Sequence, residues 1–346
     1  MPNETDTNRQ SRPAIDRRRF LSACAGASAL AVGLGSARAG ERVASTQPGS
    51  LVREPQVPKP PPVRKALKFG MINEGDSIAD KLKIARDAGF EGVEFDAPSN
   101  LDIDEVLKAK DAAGIDIPGV VDSAHWSKPL SHPDPEVRLA GRHALEKALY
   151  DCKALGGSQV LLVPAVVNAD VSYRDAFDRA VTEIRRVMPL VRETGVGIAL
   201  ENVWNNFLLS PLEAKRFIEA VVIPTENSVR KSREGYHRLL GWYFDVGNIW
   251  RYGWPAHWLE ELGGPSRYIS RLDIKGYSRA KADKEGKWAG FGVEIGDGDI
   301  PWETVRAWID ASGWTGWATA EVGGGNRDRL ADIASRMDRV LGLKNG

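Results

Sequence analysis

Short apolar runs alternate with longer segments of helical periodicity from Leu67 to the C-terminal end of the chain. The apolar runs are rich in Val, Ile, Leu and Ala, as expected of strands that are buried on both faces. Eight such runs can be distinguished along the chain. We predict strands at Leu67–Asn73, Gly92–Asp96, Ile117–Ser123, Gln159–Val163, Gly197–Asn202, Gly241–Asp245, Arg271–Lys275 and Gly316–Glu321.

Helical patterns separate these strands, and glycine follows several of them at the position of a left-handed C-cap (Gly89, Gly114, Gly156, Gly195). The predicted helices include Ile78–Ala88, Pro135–Leu155, Ala176–Glu193, Pro211–Val221, Trp302–Ala311 and Arg327–Leu341. Strands that alternate with helices indicate an α/β protein with a parallel sheet. Eight units in roughly 280 residues predict a single (β/α)8 TIM barrel over residues 66–346. A doubly wound open sheet is less favoured, because no G-x-G-x-x-G follows the first strand.

The N-terminal residues have the features of an export signal. Arg17-Arg18-Arg19-Phe20-Leu21 is a twin-arginine motif, an apolar stretch from Ala23 to Leu34 follows, and Ala37-Arg38-Ala39 supplies a cleavage site. The apolar stretch is too short to span about 30 Å of hydrocarbon, so we expect no permanent membrane anchor. Residues 1–39 are therefore predicted to be a signal peptide that engages the twin-arginine (Tat) translocase, and the mature protein is predicted to be periplasmic or secreted. Residues 40–65, which contain six prolines, are predicted to be a linker.

Charge and cysteine content exclude several classes of protein. Lys plus Arg and Asp plus Glu each number 47, so the chain lacks the basic excess that nucleic-acid binding requires. The two cysteines, Cys24 and Cys152, cannot form a disulfide scaffold or a cysteine-rich zinc module. Cys152 lies on the apolar face of a predicted helix, where we expect a small core residue.

Carboxylates end the last four predicted strands. Glu201, Asp245, Asp273 and Glu321 each follow an apolar run, at the end of the strand where barrel enzymes place their chemistry. Four carboxylates that converge in a dry pocket need protons or a cation to offset their repulsion. Because oxygen ligands suit hard divalent ions, the pattern predicts a site for Mn²⁺ or Mg²⁺.

The order Ala199-Leu200-Glu201-Asn202, Phe244-Asp245-Val246-Gly247-Asn248, Leu272-Asp273-Ile274-Lys275 and Ala320-Glu321 resembles the xylose-isomerase-like sugar isomerases and epimerases. The resemblance extends from Leu67 to Leu341 and includes the ketose 3-epimerases. It implies that the four acids hold the metal and that Glu201 and Glu321 also act as acid and base. It further implies that Arg279 contacts the substrate.

Two residues depart from the pattern of that family. Asp273 stands where the family has a metal-binding histidine, and Asn248 stands where a histidine is often found. The aspartate adds a negative charge to the site, and we expect Lys275 or Arg279 to offset part of it.

Further residues near the strand ends are predicted to contact the substrate. They are His125 and Trp126 after strand 3, Trp204 after strand 5, and Lys275 and Arg279 after strand 7. Trp204 offers a flat apolar face of the kind that packs against a sugar ring. Export favours an unphosphorylated sugar as the small-molecule partner, and a homo-oligomer is compatible with the sequence.

The predicted function is metal-dependent isomerisation or epimerisation of a sugar by proton transfer on the carbon next to a carbonyl. One alternative is a lyase that starts with the same proton abstraction from a 3-keto-glycoside and then expels the aglycone by β-elimination. Another is a sugar-binding barrel without catalytic activity.

Overall fold

The computed structural model describes residues 63–222, 239–264 and 268–343. Eight parallel strands form a closed barrel in which β1 pairs with β8, so the prediction of a single (β/α)8 barrel is confirmed. The strands are Arg64–Lys68 (β1), Gly92–Ala97 (β2), Gly119–Asp122 (β3), Gln159–Leu162 (β4), Gly197–Glu201 (β5), Leu240–Asp245 (β6), Ile269–Ile274 (β7) and Trp317–Ala320 (β8).

Helices pack around this barrel, and β6 and β7 are each followed by two of them. The helices are Ile78–Asp87 (α1), Ile103–Ala113 (α2), Pro135–Ala154 (α3), Tyr173–Thr194 (α4), Pro211–Val222 (α5), Val246–Tyr252 (α6), Pro255–Gly263 (α7), Arg279–Glu285 (α8), Trp302–Ser312 (α9) and Arg327–Leu341 (α10). Within the described ranges, no helix combines the length and the apolar character needed to cross a bilayer.

Polar caps and left-handed glycines set the helix bounds. Ser77 and Asp80 form a capping box at the start of α1, and Gly114 ends α2 with φ of 62°. Gly195 ends α4 in the same conformation, as predicted. Cys152, in α3, is fully buried, which confirms its prediction as a core residue.

The first strand lies earlier than predicted. The apolar run Leu67–Asn73 was expected to form it, but β1 ends at Lys68 because Phe69–Met71 turn into a 3-10 helix. The strand instead begins at Arg64, whose guanidinium pairs with Asp116 at 2.6 Å. The predicted signal peptide (1–39) and nearly all of the predicted linker (40–65) lie outside the described residues.

The pleat of the strands separates outward-facing and inward-facing residues. Leu272 and Ile274 on β7 are buried among the helices, whereas Arg271 and Asp273 alternate with them and point into the barrel. Asp273 pairs in register with Asp245 on β6. This register brings the acids at the strand ends to one level of the barrel interior.

Below that level the interior holds a buried arginine. Arg271, which is 1% exposed, donates hydrogen bonds to Gln159 (2.9 Å), Glu94 (3.3 Å), Ser158 (3.1 Å) and the carbonyl oxygen of Pro118. A buried charge is stable only when it is paired and hydrogen-bonded in this way. The lower part of the barrel is therefore held by a polar network as well as by apolar packing.

We expect Arg271→Met to lower the free energy of unfolding by about 3–5 kcal/mol, because it removes one member of a buried ion pair. Urea denaturation followed by circular dichroism measures the change. Arg339→Met is the matched control, since that side chain is 59% exposed and its pairing with Asp297 contributes at most about 1 kcal/mol. Equal stability losses in the two variants would contradict this account of the barrel interior.

Candidate functional site

A cavity of about 1020 Å³ opens at the C-terminal ends of the strands. Every strand or the loop that follows it contributes to its wall, from Lys68 at the end of β1 to Glu321 after β8. This is the end of the barrel at which enzymes of this architecture place their active sites. The cavity is therefore the candidate functional site.

The four predicted acids come together at the floor of this cavity. Glu201, Asp245, Asp273 and Glu321 each place a carboxylate oxygen within 4.8 Å of the others. Asp245 and Asp273 are completely buried, whereas Glu201 and Glu321 line the cavity. Two of the acids are thus closed off, and two are open to a bound molecule.

Lys275 lies within the acidic cluster. Its Nζ atom is 2.6 Å from Asp245 Oδ2 and 2.7 Å from Glu321 Oε2, so the ammonium group bridges two of the four acids. The lysine stem passes over Gly247, where a Cβ atom would overlap Cγ of Lys275. The sequence predicted Lys275 as a substrate contact, and the structure places it as a charge partner that also lines the cavity.

Helix α6 fixes the orientation of Asp245. As the N-cap residue of α6, Asp245 accepts a hydrogen bond from the backbone N–H of Asn248 at 2.8 Å through Oδ1. The side-chain amide of Asn248 donates to Glu201 Oε1 at 3.2 Å and to the carbonyl oxygen of Asn202 at 3.0 Å. Asn248 thus orients Glu201 without adding a charge.

A second lysine neutralises the other side of the cluster. Lys68 Nζ lies 2.9 Å from Glu94 Oε2 and 3.5 Å from Asp273 Oδ2. Tyr243 donates its hydroxyl to the same oxygen of Glu94 at 2.9 Å. Neither oxygen of Asp273 accepts a hydrogen bond from the described residues, so this carboxylate retains free ligand capacity.

Electrostatics in the cluster shift the pKa values of Glu201 and Glu321, the two glutamates that line the cavity, in opposite directions. Burial, together with Glu321 and Asp245, raises the pKa of Glu201 well above its usual range. Burial acts on Glu321 in the same direction, but Lys275 and Lys68 outweigh it and lower the pKa of that carboxyl to about 2. Burial also raises the pKa of Asp273 well above its usual range, although Lys68 opposes the effect.

The charged side chains inside the barrel carry a negative excess that a divalent cation could balance. Five carboxyl groups (Glu94, Glu201, Asp245, Asp273 and Glu321) meet three cationic side chains (Lys68, Arg271 and Lys275), an excess of two negative charges when all are ionised. Two protons or one divalent ion would balance that excess. The all-oxygen donor set and the free oxygens of Asp273 fit a hard ion such as Mn²⁺ or Mg²⁺. The buried acidic cluster could therefore bind a metal.

Besides Lys275, three of the predicted substrate contacts line the cavity: His125, Trp126 and Trp204. His125 is 7% exposed, and its Nδ1 atom accepts the backbone N–H of Val163 at 3.4 Å. Burial lowers the pKa of His125 to about 4, so the imidazole is neutral at pH 7 and Nε2 carries the proton.

Arg279, in contrast, is not among the residues that line the cavity. Its guanidinium lies 3.8 Å from the ring centroid of Trp250 and donates to the carbonyl oxygens of Trp250 (2.5 Å) and Gly253. These contacts explain the position, because they satisfy the guanidinium at the start of α8. The structure thus does not bring Arg279 to the other predicted site residues.

Sequence reasoning missed Lys68, Glu94 and Tyr243. Each is a polar side chain within an apolar strand, and Glu94 lies between the buried Val93 and Phe95 on β2. A charged residue at an inward-facing position of a buried strand is the signal that could have found them.

Residues 82–340 match the family model of the xylose isomerase-like TIM barrel. The chain belongs to this family. No curated protein matches the chain significantly.

Solved structures of sugar epimerases share the fold of this family member at low sequence identity. An L-ribulose 3-epimerase superposes with a TM-score of 0.64 at 15% identity, covering 81% of this chain and 95% of the other. A 3-keto-D-glucoside 4-epimerase from E. coli gives 0.63 at 14% identity and covers 81% and 100%. A D-psicose 3-epimerase from Clostridium cellulolyticum H10 gives 0.58 at 17% identity and covers 81% and 96%.

The position of Lys275 gives a prediction about metal affinity. A metal held by all four acids competes with the lysine ammonium for Asp245 and Glu321. We expect Lys275→Met to bind Mn²⁺ roughly ten-fold more tightly than the unchanged protein, because a hydrogen bond between charged groups contributes about 1.5–3 kcal/mol. Titration calorimetry measures the affinity.

Lys281→Met is the matched control, because the Lys281 ammonium donates a hydrogen bond to the carbonyl oxygen of Gly292 and lies outside the acidic cluster. Asp245→Asn should weaken Mn²⁺ binding. Equal or weaker binding in Lys275→Met would show that the lysine and the metal do not compete.

Proposed function

We propose that the protein is a sugar isomerase or epimerase that moves a proton on the carbon next to a carbonyl group. The observation that carries this proposal is the division of the four acids. Glu201 and Glu321 line the cavity, whereas Asp245 and Asp273 are closed off beneath it. Two carboxyl groups open to the same bound molecule are what removal and return of a proton require.

The chain itself would supply most of the chemistry. Glu201 and Glu321 act as exchangeable base and acid, and Asn248 keeps Glu201 oriented through its side-chain amide. His125, which is neutral, supplies a hydrogen-bond donor from the β3 side of the cavity. Trp204 also lines the cavity, but Arg251 and Phe291 lie against its ring, so it adds apolar contact without the open ring face that the sequence suggested. Glu201, Asp245, Asp273 and Glu321 are the residues that would hold Mn²⁺ or Mg²⁺.

A bound divalent ion would supply a Lewis acid that stabilises negative charge on the carbonyl oxygen as the proton leaves. Lys68 and Lys275 contribute to the same end, because both ammonium groups line the floor of the cavity. The epimerases that share the fold include enzymes named for L-ribulose, D-psicose and a 3-keto-D-glucoside, which supports a carbonyl sugar as the substrate class.

A 3-keto-glycoside lyase is the second candidate, and the size of the cavity favours it. In such a reaction the base removes the proton beside the ketone, a carbon–carbon double bond forms, and the bond to the aglycone oxygen breaks. The acid then protonates the leaving oxygen, so the aglycone departs as an alcohol. The same two glutamates would serve both reactions.

The proposal predicts that Glu201→Gln and Glu321→Gln each lose about 100-fold to 10,000-fold in rate, the usual contribution of general acid–base catalysis. Ketoses and 3-keto-glycosides are screened in heavy water, and deuterium on the carbon next to the carbonyl is measured by mass spectrometry. An inverted sugar identifies the epimerase, and a released aglycone identifies the lyase.

Bound metal is measured in each variant so that loss of metal is separated from loss of proton transfer. Glu294→Gln is the control, because Glu294 also lines the cavity but pairs with Arg329 at 2.6 Å, outside the cluster. Absence of deuterium exchange with every compound would contradict both reactions and favour a sugar-binding barrel.

We propose in addition that residues 1–39 direct export through the twin-arginine route. The support is the Arg17-Arg18-Arg19-Phe20-Leu21 motif and the Ala37-Arg38-Ala39 cleavage site. Replacing Arg17 and Arg18 together by Lys should leave uncleaved protein in the cytoplasm, as judged by cell fractionation. Arg9→Lys with Arg12→Lys is the control, and unchanged export of the Arg17, Arg18 variant would exclude this route.

A further inference from the structure

The cavity is larger than one sugar ring needs. Its volume of about 1020 Å³ lies at the upper end of the roughly 300–1,000 Å³ found for pockets that enclose drug-sized ligands. The acidic cluster occupies only its floor. The remaining volume lies between the floor and the mouth, so the wall above the cluster is available to a second part of the substrate.

Two exposed tryptophans line this cavity. Trp126 follows β3 and is 56% exposed, and Trp288 follows β7 and is 71% exposed. Large apolar side chains that remain exposed beside a cavity are typical of ligand-binding surfaces.

Both tryptophans rest on groups that are themselves fixed. Trp126 and His125 meet edge to face, with 5.4 Å between ring centroids. His125 is buried and accepts a hydrogen bond from the backbone N–H of Val163, in the loop after β4. Trp288 packs on Trp204 with 4.5 Å between ring centroids, and Trp204 in turn stacks on Phe291. The aromatic surfaces are therefore preorganised before a ligand binds.

The charges of the cavity wall do not favour a phosphate. Its cationic side chains are Lys68, Lys275 and Arg329, and each already pairs with a carboxylate. Arg329, in the first turn of α10, pairs with Glu294 at 2.6 Å and with Asp332 at 3.1 Å. An uncharged, flat ring suits these surroundings better than a phosphorylated group.

We infer that the substrate is a two-ring glycoside. One sugar ring lies on the acidic cluster, and the second ring, an aromatic aglycone or another sugar, lies against the exposed tryptophans Trp126 and Trp288. This inference rests on the proposed function, because it assigns the reacting ring to Glu201 and Glu321. It adds a binding subsite for the second ring and makes Trp126 and Trp288 its specificity residues.

The test compares methyl and phenyl β-glycosides of the same sugar (glucose, galactose and 3-keto-glucose), which differ only in the group that would reach the tryptophans. Binding to the full-length mature protein with Mn²⁺ is measured by calorimetry. We expect the phenyl member of at least one pair to bind five-fold or more tightly, since aromatic contacts add roughly this much to affinity. Trp126→Ala and Trp288→Ala should each reduce that preference.

Trp254→Ala is the matched control, because Trp254 is 54% exposed but does not line the cavity. Trp126→Phe and Trp288→Phe should keep most of the preference, which separates loss of the ring from loss of folding. Equal binding of all methyl and phenyl pairs, absence of binding, or a preference that survives both alanine variants would overturn the inference. So would a change of sedimentation coefficient in the alanine variants without a change in ligand affinity, which would indicate a subunit contact.

Binding of phenyl glycosides and deuterium exchange distinguish failure of the second-ring subsite from failure of the proposed proton transfer. Deuterium exchange into free ketoses without a phenyl preference would support proton transfer and overturn the second-ring subsite. A phenyl preference that depends on both tryptophans, without deuterium exchange into any compound, would support the subsite and contradict the proposed reaction.

Discussion

Charge compensation inside the barrel is the constraint on which the rest of the structure depends. Four buried carboxyl groups (Glu94, Glu201, Asp245 and Asp273) are packed into its interior, where an unpaired charge would cost several kcal/mol, and Glu321 joins them from the exposed end of the barrel. Lys68, Arg271 and Lys275 enter the same volume from β1, β7 and the end of β7, and each contacts at least one acid. The apolar cluster left inside the barrel is accordingly small and contains Leu161, Ala199 and Tyr243.

This arrangement divides the interior into layers with different tasks. Arg271 and Glu94 form a lower layer, in which Arg271 does not line the cavity. The hydrogen bonds that Arg271 donates to Gln159 and Glu94 tie β2, β4 and β7 together. The upper layer carries the acids that end β5 to β8, with an unbalanced negative charge. The lower layer thus stabilises the barrel and holds the strands in register. The acids that could react with a ligand lie in the upper layer, at the ends of those strands.

The sequence was sufficient for the fold and for the acids, because both depend on local patterns. Alternation of apolar runs with helical segments defined the barrel, and a polar residue at the end of each run marked Glu201, Asp245, Asp273 and Glu321. The predicted position of β1 was wrong, because the apolar run that suggested it continues into a 3-10 helix.

Long-range pairing was beyond the reach of those patterns. Lys275 was expected at the substrate and as a charge partner of the acids, but its particular partners Asp245 and Glu321 were not predicted, and Arg279, expected at the substrate, contacts Trp250 instead. Lys68 comes from β1, far in sequence from Asp273, and shares its charge between that acid and Glu94 on β2. Which cation meets which carboxylate depends on side-chain directions across the barrel, and spacing along the chain does not encode them.

Gly247 has a consequence for how this site can change during evolution. Because the stem of Lys275 occupies the space of a missing Cβ atom, the two positions cannot be substituted independently. A side chain at 247 would push the ammonium away from Asp245 and Glu321, whereas a shorter residue at 275 would remove the reason for glycine. Lineages that keep the lysine should therefore keep the glycine, and lineages that lose one should be free to lose the other.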